Sequence, residues 1–182
     1  MNEEKYQGND IQGWMSPAEL QFLFENAKEA KSVLEIGSWK GRSSHAILSG
    51  CKGMVTCVDH FKGSEGEGSA HAEANSDDEP VYKDFMKNVG EFSNLRVIKA
   101  SSKEAKDILK DEKFDMIFID GGHRYEDVVD DMKLWKDNAT VLLCGHDYNP
   151  ICWPAVINAV ITVLGGLPTG VVDTIWYQEV KK

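Results

Sequence analysis

Residues 33–44 read Val-Leu-Glu-Ile-Gly-Ser-Trp-Lys-Gly-Arg-Ser-Ser: a short apolar run broken by an acid, two glycines four apart, then small hydroxyl residues. Val33, Leu34 and Ile36 suit a buried strand, and Gly37 and Gly41 allow a sharp turn and close approach to a ligand. Ser43 or Ser44 is positioned to cap a following helix. This is a nucleotide-binding strand, loop and helix. It is not the dinucleotide fingerprint, because G-x-G-x-x-G is absent and Glu35 stands where a pyrophosphate would be repelled. An acid there suits a cationic ligand.

Working outward, strands and helices alternate. Residues 17–30 read as a leading helix with Ser16 at its N-cap and Pro17 at its first position. Helix 42–50 leads to a second strand, Met54–Val58, which ends on Asp59. Residues 62–79 hold several glycines and almost no large apolar side chain, which predicts a long flexible polar loop, either a lid or a disordered insertion. A helix over 80–92 carries Val81, Phe85, Val89 and Phe92 at helical spacing. Then follow strand 95–99, a serine-capped helix 101–109, strand 114–119 ending on Asp120, helix 124–136, strand 140–144, a helix over about 154–164, and two short strands within 170–180. Such alternation implies an α/β fold: a mostly parallel sheet with right-handed crossovers, helices on both faces and an antiparallel edge at the C-terminus.

Composition limits the rest. The chain has 182 residues, which suits a single domain spanning 1–182. A formal charge of −10, from 20 basic and 30 acidic residues, opposes attraction to nucleic acid or anionic lipid. Cys51, Cys57, Cys144 and Cys152 show no C-x-x-C spacing, which favours free thiols in a reducing compartment over disulfides or structural zinc. The N-terminus lacks a basic region leading into an apolar stretch, and no apolar run reaches bilayer length, so a soluble cytoplasmic protein is expected.

In open α/β sheets ligands sit beyond the carboxyl ends of the strands. The polar residues expected there are Glu35, Gly37, Asp59, Ser101, Asp120, His123, His146 and Asp147. Asp59 lies 22 residues after Gly37, spaced to accept hydrogen bonds from two ribose hydroxyls; the plainer alternative is a turn-forming acid. His60 follows it and is placed to touch cofactor or substrate. Asp120-Gly-Gly-His123 and Gly145-His-Asp147 would be delivered to one cleft by adjacent strands. Asp120, Asp147 and His146 could hold a divalent cation of the magnesium kind, with His123 as a base acting near neutral pH. The alternative is metal-free: Asp120 binds a cofactor amino group and His146 is structural. Trp14, Trp39 and Trp153 could line a substrate mouth or merely pack. Arg42 could pair with a strand-end acid or be solvated. A cationic ligand with a ribose points to S-adenosylmethionine.

Four motifs in order, V-L-E-I-G-S-W-K-G-R-S, V-D-H, I-D-G-G-H-x-Y and G-H-D-Y, resemble those of the small bacterial and phage-type class I S-adenosylmethionine-dependent methyltransferases, from about Gly13-Trp14 to the last strand. The resemblance implies a Rossmann-like, seven-stranded sheet ordered 3-2-1-4-5-7-6. It also implies that Glu35, Gly37 and Gly41 surround the methionine part of the donor, and Ser38 and Ser43 are expected among the cofactor-binding residues. Asp59 would hold the ribose, and Ser101 with Ser102 would lie near the adenine. More distantly the chain is similar to metal-dependent O-methyltransferases of catechols and antibiotic sugars. There an acid after the fourth strand and an acidic or amide pair after the fifth bind magnesium. Asp120 and Asp147 match, His146 departs, and His123 stands where those enzymes keep a base. The expectation is methyl transfer to a hydroxyl of a small acceptor, a sugar, phenol or natural product, with self-association left open. Two alternatives are a silent S-adenosylmethionine-binding protein of this fold and a metal-independent methyltransferase. A nicotinamide enzyme is disfavoured by Glu35 and the missing third glycine.

Overall fold

A computed structural model describes residues 5–8, 10–64, 68, 73–74 and 78–180. Its seven strands are β1 (Ser32–Ile36), β2 (Met54–Asp59), β3 (Leu95–Lys99), β4 (Phe114–Ile119), β5 (Ala139–Gly145), β6 (Gly170–Val172) and β7 (Ile175–Glu179). The helices are α1 (Pro17–Glu29), α2 (Arg42–Gly50), α3 (Pro80–Val89), α4 (Ser102–Leu109), α5 (Tyr125–Trp135) and α6 (Pro154–Leu164). Strand order is β3-β2-β1-β4-β5-β7-β6, the order expected. β1 to β5 are parallel, and β7 runs antiparallel to both β5 and β6. The helix expected over 80–92 stops at Val89, where Gly90 follows, and Phe92 instead packs from the loop beyond. Among the described residues no helix is long and apolar enough to cross a membrane.

The strict alternation of a strand decides which residues meet which helices. Val33 of β1 joins a core formed with α1, α2 and α3 through Leu23, Ala27, Ile47 and Phe85. Leu34 and Ile36 join the opposite core with α4, α5 and α6 through Leu109, Met132, Trp135 and Val160. Glu35 therefore points toward the first face, under α2. Parallel register then aligns the strand ends, since Ile36 pairs with both Val58 and Ile119, and Ile119 with Gly145. The ladder runs one residue further: Gly37 N–H donates to Val58 O (2.9 Å), Asp120 N–H to Ile36 O (2.7 Å) and His146 N–H to Ile119 O (3.1 Å). The first residues past β1, β4 and β5 thus form a row at the carboxyl edge of the sheet, beside Asp59 at the end of β2.

Gly37 makes this closeness possible. It sits at φ 85°, and a Cβ there would overlap the Asp120 carbonyl. Gly37→Ala should lose at least about 2 kcal/mol of stability, since both the backbone conformation and the strand contact resist a side chain. A fall in the urea midpoint at unchanged slope would show it; an unchanged midpoint would contradict it.

Candidate active site

The row of strand ends opens into a cavity of about 430 Å³ whose wall runs from Asp59 and His60 across Gly37 and Ser38 to Asp120, His123 and Asp147, and also takes in His146. Gln12, Gly13, Trp14 and Met15 cover it from one side and Trp153 from another.

Glu35 does not reach this cavity. It is fully buried and accepts hydrogen bonds from the hydroxyls of Ser38 (2.7 Å), Ser43 (2.6 Å) and Ser44. Burial raises its pKa, and the serine hydroxyls oppose that rise. Two sequence expectations change here. The acid braces the glycine loop from beneath instead of facing a cation, and Ser43 and Ser44 serve Glu35 instead of capping α2. The N-cap position belongs to Gly41, at φ 89°. Gly41 also turns away from the cavity: a Cβ there would press on Val89 and Phe85 of α3.

Asp59 orders the loop from the other side. Its Oδ2 accepts from the Ser38 and Trp39 amides, both at 2.8 Å, and its Oδ1 from the Phe61 amide at 2.6 Å. Trp39 and Phe61 hold positive φ of 46° and 59°, so these bonds stabilise backbone that L-residues adopt rarely. His60 lines the cavity, half exposed. Ser101 is used as the N-cap of α4, in a capping box with Glu104, and does not line the cavity; Ser102 does. Ser43 borders it, although its hydroxyl is turned to Glu35.

The opposite flank carries the charge. His123 Nε2 lies 2.7 Å from Asp147 Oδ2, and its ring stacks on Trp153 at 4.4 Å between centroids. His146 Nδ1 lies 3.1 Å from the same Asp147 oxygen and 3.7 Å from Asp120 Oδ1. Its Nε2 faces Glu19 Oε1 at 3.2 Å and Thr174 Oγ1 at 3.0 Å. Burial works against a charged imidazole, but Asp120, Asp147 and Glu19 outweigh it and raise the His146 pKa strongly. Burial likewise favours a neutral Asp147, yet the two histidines hold it ionised. Asp120 is pushed upward by burial and by Asp147, against the pull of the histidines.

Glu19 was not legible as a site residue. It sits on α1, where its Oε2 accepts from the Ser16 amide (2.7 Å) in a capping box, while Oε1 also accepts from Thr174 N (2.9 Å) and Oγ1 (2.7 Å). The S-x-x-E spacing at 16–19 signals the cap, but its second role depends on a residue 127 positions away. Asp131 of α5 was missed too; it lines the cavity beside Ser102. Lys40, buried, donates to Gln12 Oε1 (3.0 Å) and Glu73 Oε1 (2.5 Å) and pairs with Asp84 (3.2 Å), joining the cover segment, the polar stretch and α3. Arg42, for which a strand-end acid or solvent was expected, donates to the carbonyls of Ile11 (2.6 Å) and Met15 (3.2 Å). Trp39 and Trp153 line the cavity and Trp14, largely exposed, stands at its rim. Within 62–79, Glu73 meets Lys40 and Ala74 is buried; residues 65–67, 69–72 and 75–77 lie outside the described residues, and with them the expectation of flexibility. Cys152, next to Trp153, is exposed, whereas Cys51, Cys57 and Cys144 are buried.

Asp120, His146 and Asp147 can each offer one ligand atom within 4.8 Å of the others. Adjacent ligands of an ion bound at about 2.1 Å are roughly 3 Å apart, a spacing that His146 and Asp147 have at 3.1 Å and that Asp120, 3.7 Å from His146, would reach by a small shift. With Nε2–H given to Glu19, the Nδ1 lone pair would be directed at such an ion.

A mostly parallel sheet with this strand order, a glycine loop at its centre and an acid and histidine cluster past β4 and β5 thus frames one cavity at the carboxyl ends of the strands. Residues 34–148, more than half of the chain, match the methyltransferase domain family, and the chain belongs to it. No curated protein matches it in sequence. Among solved structures it is similar to the O-methyltransferase NovP, with 18% identity over 92% of this chain and 81% of that one at a TM-score of 0.67. It also resembles the methyltransferase PaMTH1 of Podospora anserina bound to S-adenosylhomocysteine, with 16% identity over 92% and 80% and a TM-score of 0.62. A third likeness is CalS11, a TDP-rhamnose 3′-O-methyltransferase of calicheamicin biosynthesis, with 13% identity over 90% and 78% and a TM-score of 0.59. At these identities the likeness is one of fold.

The Glu19 carboxyl is held at about 2, against 4.5 for the free group. Burial alone would raise it; the bonds from His146, Ser16 and Thr174 bring it down. A depressed acid stabilises the fold above its unfolded pKa and loses that contribution as pH falls toward the folded one. Glu19→Gln should therefore be less stable than the parent above about pH 4.5, by no more than about 3 kcal/mol, with the gap closing as pH falls toward 2. Thermal melts across that range check it, and a gap independent of pH would refute it.

Proposed function

We propose that the chain moves the methyl group of S-adenosylmethionine to a hydroxyl oxygen of a small molecule, assisted by a divalent cation at Asp120, His146 and Asp147 and by His123 as base. The observation that carries this reading is one continuous cavity with the glycine loop and Asp59 at one end and the Asp120, His123, Asp147 cluster at the other. The donor would lie along the first part, its ribose hydroxyls reaching Asp59 and His60 and its sulfonium near Gly37 and Ser38. The acidic wall suits that positive charge. The S-adenosylhomocysteine held by PaMTH1 supports the donor, and the sugar substrate of CalS11 supports a small hydroxylated acceptor. The net charge of −10 argues against a nucleic acid acceptor.

Methyl transfer is one in-line displacement: the acceptor oxygen forms its bond to carbon as the carbon–sulfur bond breaks, and S-adenosylhomocysteine leaves neutral at sulfur. The protein has to align oxygen, carbon and sulfur and remove a proton. With Nε2 turned to Asp147, the His123 ring takes the acceptor proton at Nδ1, and Asp147 stabilises the imidazolium formed. Stacking on Trp153 fixes the plane of the ring. A divalent cation at the three ligands would lower the pKa of the acceptor hydroxyl. An imidazole in a ligand set with two carboxylates favours a softer ion such as Mn²⁺ over Mg²⁺.

One observation favours a metal-independent variant of the same reaction. Glu19, Asp120 and Asp147 surround His146 and favour its charged form, which would supply positive charge beside the place a metal would take. A chelator decides between the two. Under the metal-assisted reading, EDTA abolishes turnover of a hydroxylated acceptor and Mn²⁺ restores it better than Mg²⁺; turnover indifferent to EDTA leaves His146 as the resident charge. His123→Ala should lower kcat by about 10²- to 10⁴-fold while S-adenosylhomocysteine affinity, read by calorimetry, stays within about twofold. An equal loss of both would remove His123 as the base.

A further inference from the structure

We infer that Glu19 is a positioning residue of the cation site. It keeps the hydrogen of His146 on Nε2, so that Nδ1 turns a lone pair toward Asp120 and Asp147 and the imidazole enters the ligand set as a nitrogen donor. This rests on the divalent-cation reading and deepens it. Glu19 and its partner Thr174 both stand away from the strand-end motifs, the first in the opening turn of α1 and the second in the turn between β6 and β7.

The direction of each hydrogen bond follows from what the groups can do. Glu19 is buried, and a carboxylate only accepts. Thr174 gives both its amide hydrogen (2.9 Å) and its hydroxyl hydrogen (2.7 Å) to Glu19 Oε1. A hydroxyl has a single hydrogen, so Thr174 Oγ1 has only lone pairs left for His146 Nε2, 3.0 Å away. Glu19 Oε1 lies 3.2 Å from the same nitrogen. Nε2 therefore meets acceptors alone and has to carry a hydrogen; a lone pair there, set against a buried carboxylate, would be costly. On the other side of the ring, Nδ1 stands 3.1 Å from Asp147 Oδ2 and 3.7 Å from Asp120 Oδ1. A ring lone pair and carboxylate oxygens then surround one point, which a cation satisfies. Removing the Glu19 carboxylate undoes this order. The Thr174 hydroxyl is released to donate to Nε2, the ring hydrogen moves to Nδ1, and the lone pair facing Asp120 and Asp147 is gone.

The test uses Mn²⁺ alone as probe on the whole chain, with electron spin-echo spectroscopy to detect a nitrogen bound directly to the ion and calorimetry to measure affinity. The parent should bind Mn²⁺ and show the nitrogen coupling. His146→Asp should bind it without that coupling, which assigns the nitrogen to His146 and not to His123. Glu19→Leu should lose the coupling and about ten- to a hundredfold in Mn²⁺ affinity, the usual range for a partner that orients a ligating histidine, while a cooperative melt shows that the variant is folded. Glu19→Gln separates this role from helix capping. Its amide oxygen belongs on the side of Thr174 and His146, where the donors are, so the coupling stays; its N–H₂ then faces the Ser16 amide and stability falls. Mn²⁺ bound by the parent without nitrogen coupling, or a coupling that survives in Glu19→Leu, overturns the role of Glu19 and leaves the cation reading intact. Loss of the coupling in Glu19→Gln overturns it as well, by tracing the effect to the cap. A parent that binds no Mn²⁺ overturns the cation reading and this inference with it.

Discussion

The open end of the sheet depends on the buried carboxylate of Glu35. Placing an acid in the face covered by α2 costs several kcal/mol unless hydrogen bonds replace the lost water. Three serine hydroxyls do so, one from the turn and two from the first turn of α2. The same bonds tie β1, the turn and the helix into one unit. That unit presents the Ser38 and Trp39 amides to Asp59, so β2 is tied to the turn as well. Removing the carboxylate would leave three hydroxyls without their acceptor and the turn without its brace.

A second constraint is charge balance on the far flank. His146 touches carboxylates at both ring nitrogens, and Asp147 is shared between His146 and His123. The site is therefore a coupled set, in which the charge on one member depends on all the others. Glu19 extends this set outward. It closes the first turn of α1 with one oxygen and reaches His146 and the turn between β6 and β7 with the other, so the start of a surface helix and the charge of the strand-end cluster share one side chain.

The frame was legible because its signals are local and repeated. Apolar runs ended by acids gave the strands, the 3.6-residue period gave the helices, and alternation implied parallel crossovers. The strand-end residues followed, since a parallel sheet brings its carboxyl ends together whatever fills the loops. What failed was orientation. Glu35 was read by its place beside a glycine loop, although the period of two along β1 sets it on the same face as Val33 and away from a ligand. Ser43 and Ser44 have the right chemistry for a cap, but the buried acid competes for them and wins. Ser101 was read both as the cap of its helix and, from its place past β3 and the resemblance, as a cavity residue; only the cap, in the S-x-x-E spacing to Glu104, is what it forms. Glu19, Asp131 and Lys40 carry no local mark of function. Each acts through partners on other elements, which only the fold brings near.

The cysteines give the molecule an unplanned convenience. Three thiols lie in the interior, where burial also keeps them protonated, and Cys152 stands in solvent one residue before the indole that stacks on His123. A maleimide dye added to the native chain would mark that one position. Its emission would report on occupancy of the His123 end of the cavity with no residue replaced.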